Sequence, residues 1–184
     1  MEMTKKGSVM NSVIIGLKLL LICAVIAGVV SFVYALTLQT YKDNVQQTKN
    51  IAIGKIFGKE NLVCETVGDS SVYTVRENGE LIGYCVETIG KGFGGDIQLM
   101  VGYTTGQKII AVEVIGHSES PAQGGKMQSA EYLATYQGHS GELSFGNQVD
   151  KIAGASFSSK GVLEGVNAAT KALQTVLEGG AGNE

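Results

Sequence analysis

The chain has 184 residues, with 14 Lys and Arg against 17 Asp and Glu. With one membrane segment set aside, that length supports a single domain with its own core and hardly two. Leaving out Lys5, Lys6, Lys18 and Glu2, residues 42–184 hold 11 basic and 16 acidic residues, with Arg76 the only arginine. No basic face for nucleic acid is to be expected from such a balance.

Lys5, Lys6 and Lys18 precede a stretch that carries no charge from Leu19 through Tyr41. Counted from Val13, its apolar part reaches the roughly 20 residues that a helix needs to span hydrocarbon. It is longer than the apolar region of a signal peptide, about 7–15 residues, although Val33-Tyr34-Ala35 has some likeness to a cleavage site. A retained helix with a cytoplasmic N-terminus follows, since the basic residues lie before it. Ala24, Ala27, Gly28 and Ser31 would let it pack closely on other membrane helices, or the helix serves simply as a lipid-facing anchor. The expected organisation is a cytoplasmic N-terminus over 1–12, a transmembrane helix over 13–38, a helical stalk over 39–60, an exported domain over 61–178 and a flexible tail over 179–184.

In the stalk, Val45, Ile51, Ile53 and Ile56 give only a patchy apolar face. The period changes after Leu62. Val72–Glu77 and Glu80–Val86 are β-rich runs joined by Asn78-Gly79, a dipeptide that accepts positive φ at both central positions of a tight hairpin. Lys91-Gly92-Phe93-Gly94-Gly95 interrupts the regular structure, and strands over Ile97–Tyr103 and Lys108–Ile115 follow, with Thr104–Gln107 turning between them. The apolar residues of Lys108–Ile115 suit a central strand covered on both faces. An irregular loop over Gly116–Lys126 comes next, then a helix over Met127–Gln137. A last helix from about Ser158 to Glu178 has Val162, Val166, Ala169, Leu173, Val176 and Leu177 as its packing stripe. Ser158 or Ser159 is expected to cap it, and Gly179-Gly180 to end it. The fold class is α+β, a mostly antiparallel sheet with flanking helices.

Cys23 falls in the membrane helix, while Cys64 and Cys85 sit in adjacent strand-like segments and could pair in an oxidising compartment. No two cysteines have CxxC spacing, so neither a zinc nor an iron–sulfur site is expected. A serine hydrolase is not supported either, because Gly154-Ala155-Ser156-Phe157-Ser158 lacks the second glycine of a nucleophile elbow.

Asp150-Lys151-Ile152-Ala153-Gly154-Ala155-Ser156 places a hydroxyl among small residues where a loop meets the last helix. An anion there would meet free backbone N–H groups and the positive end of the helix dipole. The run resembles the flavinylation motif Asp-x-x-(Ser/Thr)-Gly-Ala-(Thr/Ser). Gly90-Lys91-Gly92-Phe93-Gly94-Gly95-Asp96-Ile97 and His117-Ser118-Glu119-Ser120-Pro121-Ala122-Gln123-Gly124-Gly125-Lys126 are similar to two further family segments, Gly-Lys-Gly-Tyr-Gly-Gly-x-Ile and His-x-Glu-Thr-Pro-Gly-Leu-Gly-x-Lys. In their order and spacing, the three identify the chain as resembling the RnfG family. These are the FMN-binding G subunits of Rnf ion-translocating ferredoxin:NAD oxidoreductase complexes, related to the C subunit of the sodium-pumping NADH:quinone reductase.

The resemblance implies an electron-transfer subunit with FMN held as a phosphoester on Ser156. Asp150, Gly154 and Ala155 would be read by a flavin transferase, Glu119, Ser120 and Lys126 would lie near the flavin, and Phe93 with its glycines would either flank the isoalloxazine or only make a tight turn. The domain would sit on the outer face of the cell membrane among the other Rnf subunits. The chain departs from the family at Ser156, where threonine is usual, at Ala153, where a hydroxyl residue is usual, and at Ala122-Gln123 in place of Gly-Leu. A stand-alone extracellular flavoprotein and a membrane-tethered module without flavin remain as alternatives.

Overall fold

The computed structural model describes residues 3–180, with side chains for 14–38, 44–122 and 124–179. The expected tail beyond Gly180 and the first two residues lie outside the described residues. The chain divides into two units, Met1–Gln47 and Thr48–Glu184. Helix α1 (Met3–Phe57) begins in the first, where it carries one span, Ile14–Leu38, that is long and apolar enough to cross a membrane, and ends in the second. Its large side chains stand exposed, Leu20 at 65% and Phe32 at 65% among them, which suits a hydrocarbon surrounding rather than water.

The second unit is built on five antiparallel strands in sequence order: β1 (Val63–Thr66), β2 (Val72–Glu77), β3 (Glu80–Lys91), β4 (Asp96–Thr104) and β5 (Ile109–His117). The β2–β3 turn is the expected one. Asn78 and Gly79 both take positive φ, 50° and 88°, so the backbone twist matches that of the strands it joins. Strand β3 runs on past Val86 because Glu87 to Lys91 continue the ladder with β4, ending at Lys91↔Asp96.

Each face of the sheet buries its own cluster. One packs Val72, Val86, Leu99, Val101 and Tyr103 against Val162, Val166, Ala169 and Leu173 of helix α4 (Ser156–Gly180). The other packs Val75, Cys85 and Met100 against Ala52, Ile53 and Ile56, the last turns of α1. The expected stalk therefore contributes its sparse isoleucines to a core. Glycine permits this approach, since a Cβ on Gly102 would lie 2.1 Å from Ile56 Cγ2.

Four expectations are corrected. Strand β5 is an edge strand, not a central one, and β4 is the strand buried on both faces. β5 is largely apolar because it still borders both clusters, and its edge is partly closed by Ile109, which exchanges backbone hydrogen bonds with Gly138 and His139. The helix expected over Met127–Gln137 is two short ones, α2 (Pro121–Met127) and α3 (Ala130–Ala134). Pro121 at the first turn starts α2 inside the segment expected to be irregular, and the Ser129 side chain accepts from Tyr132 N to start α3. Neither Ser158 nor Ser159 caps α4. Both are fully buried within it, and the helix begins at Ser156.

Cys64 and Cys85, finally, are not on adjacent strands. Strand β2 lies between them, and two strand spacings of about 4.8 Å exceed the Cα separation a disulfide tolerates.

Candidate cofactor site

Because neighbouring strands are antiparallel, the end of β3, the start of β4 and the end of β5 meet at one end of the sheet. Helix α4 begins there too. Its approach is close: a Cβ on Gly90 would lie 1.9 Å from Gly161 O, and one on Gly161 would lie 2.5 Å from Lys91 O. This contact between two glycine backbones brings the first turn of α4 against the Lys91–Asp96 turn.

That turn is held at several points. Gly92 N donates to Gly95 O at 2.9 Å, and Lys91 Nζ pairs with Asp96 at 2.6 Å. Glu119 comes in from the strand β5 exit, and its Oε1 accepts from Phe93 N at 2.6 Å and Gly94 N at 3.2 Å. Glu119 N itself donates to His117 Nδ1 at 3.1 Å, which makes His117 a half-buried element of the site and not a surface histidine. Glu119 is 7% exposed, and its second oxygen, Oε2, is buried with no hydrogen-bond partner. A buried carboxylate oxygen left over after two backbone bonds calls for an explanation.

The run before α4 supplies the remaining parts. Gly154 takes a φ of 77°, which turns the chain into the helix at a position where a side chain would be strained. Ala155 is buried, and Ser159 N donates to its carbonyl, so Ala155 stands at the cap position with no side-chain oxygen to offer. The N–H groups of Ser156, Phe157 and Ser158 precede that first intrahelical bond, and a 25-residue helix stands behind them. Ser156 is exposed, as is Asp150. Lys126, in the last turn of α2, donates from Nζ to Ala153 O at 3.0 Å and lies beside Gly154. Ser120 is the exposed N-cap residue of α2. Of the residues singled out in the sequence, Gly154, Ala155, Ser156 and Lys126 are thus brought together directly, with Glu119 joined to them through the Gly92–Gly95 turn.

Phe157 and the groove beside it were not legible in the sequence. Phe157 is 68% exposed, and its ring centroid lies 6.1 Å from that of Phe93, itself 69% exposed. Below Phe157, a groove of about 450 Å³ is lined by Phe145, Lys151, Ser156, Lys160 and Asn167. An aromatic residue immediately after the motif serine was the one available signal. Among the described residues, no three His, Cys, Asp or Glu side chains cluster as metal ligands.

The residues present fit FMN. An exposed hydroxyl and an uncapped helix start, with Lys126, Lys151 and Lys160 nearby, suit a phosphate. Exposed rings and an orphaned carboxylate oxygen suit a polar heterocycle. Residues 92–171 match the FMN-binding domain family. The chain is 24% identical to the G subunit of the proton-translocating ferredoxin:NAD(+) oxidoreductase complex of Clostridium ljungdahlii, over 92% of this chain and 96% of that one. It is 23% identical to the G subunit of the ion-translocating oxidoreductase complex of Shewanella piezotolerans, over 90% and 89%. The crystal structure of Shewanella oneidensis NqrC matches with a TM-score of 0.50 and 22% identity, over 59% of each chain, and shares the fold.

The part of the chain that matches the FMN-binding domain family thus follows a helix long and apolar enough to anchor it in a membrane. Beyond that domain, the chain is similar over most of its length to G subunits of ion-translocating oxidoreductase complexes, the proteins its three motifs resemble.

Proposed function

We propose that the chain is the membrane-anchored flavoprotein subunit of an ion-translocating ferredoxin:NAD oxidoreductase complex, with FMN esterified to Ser156. One observation carries the assignment of the site: Ser156 is an exposed hydroxyl at the uncapped start of a 25-residue helix. Ala155 leaves the first-turn N–H groups to a bound phosphate, and Gly154 and Ala155 leave room for it. Lys126 braces the loop through Ala153 O and brings a positive charge to the same side. Bound flavin supplies one- and two-electron chemistry, and the protein's part is to fix its position and surroundings.

Serine offers the same ester oxygen as the threonine usual in the family. Its exposure leaves it open to a flavin transferase, which would read Asp150, Gly154 and Ala155. Glu119 holds the Phe93–Gly94 turn with one oxygen and offers the other to the flavin, with Ser120 alongside. Lys5, Lys6 and Lys18 retain the N-terminus in the cytoplasm, so the domain stands on the outer face, among lipid and the other subunits of the complex. A covalent bond keeps the cofactor where a dissociated one would be lost.

The test is in-gel flavin fluorescence of the denatured full-length chain, produced together with a flavin transferase. The wild type should fluoresce and Ser156→Ala should be dark. A dark wild type, or a fluorescent Ser156→Ala, refutes the assignment.

A further inference from the structure

The ring of His117 is held on three sides. Its Nδ1 accepts from Glu119 N at 3.1 Å, and the side-chain amide of Gln128 lies 2.6 Å from Nε2. Gly124 of α2 presses on the ring edge between the two nitrogens, since a Cβ there would stand 2.5 Å from His117 Cε1. The nitrogens differ in what they tolerate. Gln128 can turn either its oxygen or its nitrogen towards Nε2. A backbone N–H can only donate, so the Glu119 bond exists only while Nδ1 is bare. The neutral ring must therefore carry its proton on Nε2. Turning the ring over offers no escape, because Cδ2 would then face Glu119 N.

Glu119 passes this constraint on. Its Oε1 accepts from Phe93 N at 2.6 Å and Gly94 N at 3.2 Å, so one carboxylate ties the end of β5 to the turn between β3 and β4. Glu119 is buried and His117 half-buried, so a proton from solvent reaches the ring more readily than the carboxylate. The other charged groups on the elements around the ring are engaged elsewhere or lie further along. Asp96 of β4 pairs with Lys91, Lys126 of α2 donates to Ala153 O, and Glu131 is in the first turn of α3. Histidine is also the side chain whose charge ordinarily changes between about pH 5 and 8.

We infer that His117 is the positioning residue for Glu119, and that it sets the carboxylate on the Phe93–Gly94 turn only while its ring is neutral. A proton on Nδ1 opposes Glu119 N–H with a second donor, breaks that bond and loosens the turn beside the start of α4. The bonds involved lie within the polypeptide, so the inference stands apart from the attachment proposed at Ser156.

The experiment is nuclear magnetic resonance of the isotope-labelled full-length chain in detergent. At about pH 8 the imidazole nitrogen signals should show the His117 proton on Nε2. As the pH falls to about 5.5, the amide signals of Phe93, Gly94 and Glu119 should move with the midpoint of His117. Hydrogen exchange at Phe93 N, corrected for its intrinsic pH dependence, should quicken by about tenfold, as the loss of one hydrogen bond implies. His139, the other histidine, should titrate without moving these signals. His117→Asn keeps an acceptor near the place of Nδ1 and takes no charge, so it should hold the turn at both pH values. His117→Ala should exchange fast at both.

A proton on Nδ1 at the upper pH overturns the inference, as do amide signals of the turn that ignore the His117 midpoint. An unaltered pH response in His117→Asn also overturns it, because the titrating group would then be Glu119 itself. Slow exchange in a folded His117→Ala does the same; if that variant does not fold, the asparagine variant decides the matter alone.

Discussion

The contact between Gly90 of β3 and Gly161 of α4 sets the start of that helix against the Lys91–Asp96 turn, and it makes a quantitative prediction. A Cβ on residue 90 would lie 1.9 Å from Gly161 O and 2.6 Å from Gly161 C. Both are backbone atoms, so no side-chain rotation relieves the overlap. Restoring an ordinary separation of about 3.5 Å requires α4 to withdraw by roughly 1.5 Å. Overpacking of this kind costs about 1–3 kcal/mol, and the rigidity of both partners puts Gly90→Ala near the upper end. The small gain from replacing a strand glycine, about 0.5–1 kcal/mol, does not offset it. At about 3 °C per kcal/mol for a domain of this size, a net loss of about 2 kcal/mol lowers the melting temperature by about 6 °C. Gly125→Ala is the control, since no atom lies within 4 Å of the Cβ it would add. It should melt with the wild type or slightly above it, since alanine also suits the helix better than glycine. Thermal melts followed by near-UV circular dichroism make the comparison. The reasoning is refuted if Gly90→Ala melts within about 2 °C of wild type, or if Gly125→Ala falls as far.

Burial pushes the Cys85 thiol far above its ordinary value, so the folded domain keeps a proton that the unfolded chain releases. Stability should then fall above about pH 8.5, by about 1.4 kcal/mol per unit from this residue; urea titrations across pH 8–10 should show the slope in wild type and a shallower one in Cys85→Ala. Burial likewise raises Tyr103 and Tyr136, which adds to the loss above about pH 10. Ser158 Oγ is buried without a partner, so Ser158→Ala should be neutral or stabilising by up to about 1 kcal/mol; a clear loss in a urea melt would show that the hydroxyl is satisfied in the native protein. Lys126→Met removes the bond to Ala153 O from an exposed side chain, and should lower the fraction of chains carrying flavin while shifting stability by less than about 1 kcal/mol. Unchanged flavin fluorescence per chain would remove Lys126 from the site.

Local chemistry was legible wherever one residue type decides the backbone. Asn78-Gly79 specifies a hairpin by itself, and the stripe from Val162 to Leu173 specifies a helix face. Reasoning from residues went astray where a local preference met a tertiary contact. Ser158 and Ser159 have the chemistry of helix caps, but Gly154 turns the chain early and they are carried inside, where Ser159 Oγ donates to Ser156 O. The apolar run of β5 reads as central, yet an edge strand bordering two clusters needs the same composition. The three motifs named most of the candidate site's residues, since each is a continuous segment. Its non-local bonds were hidden: nothing in the sequence tells that Glu119 reaches the Phe93–Gly94 turn, or that Phe93 meets Phe157.

The most direct test is a tandem mass spectrum of the peptide spanning Asp150 to Lys160, from full-length protein isolated from its native membrane. Fragment ions should place the mass of FMN, less one water, on Ser156. An unmodified Ser156 there, or the same mass on Ser158 or Ser159, would contradict the account.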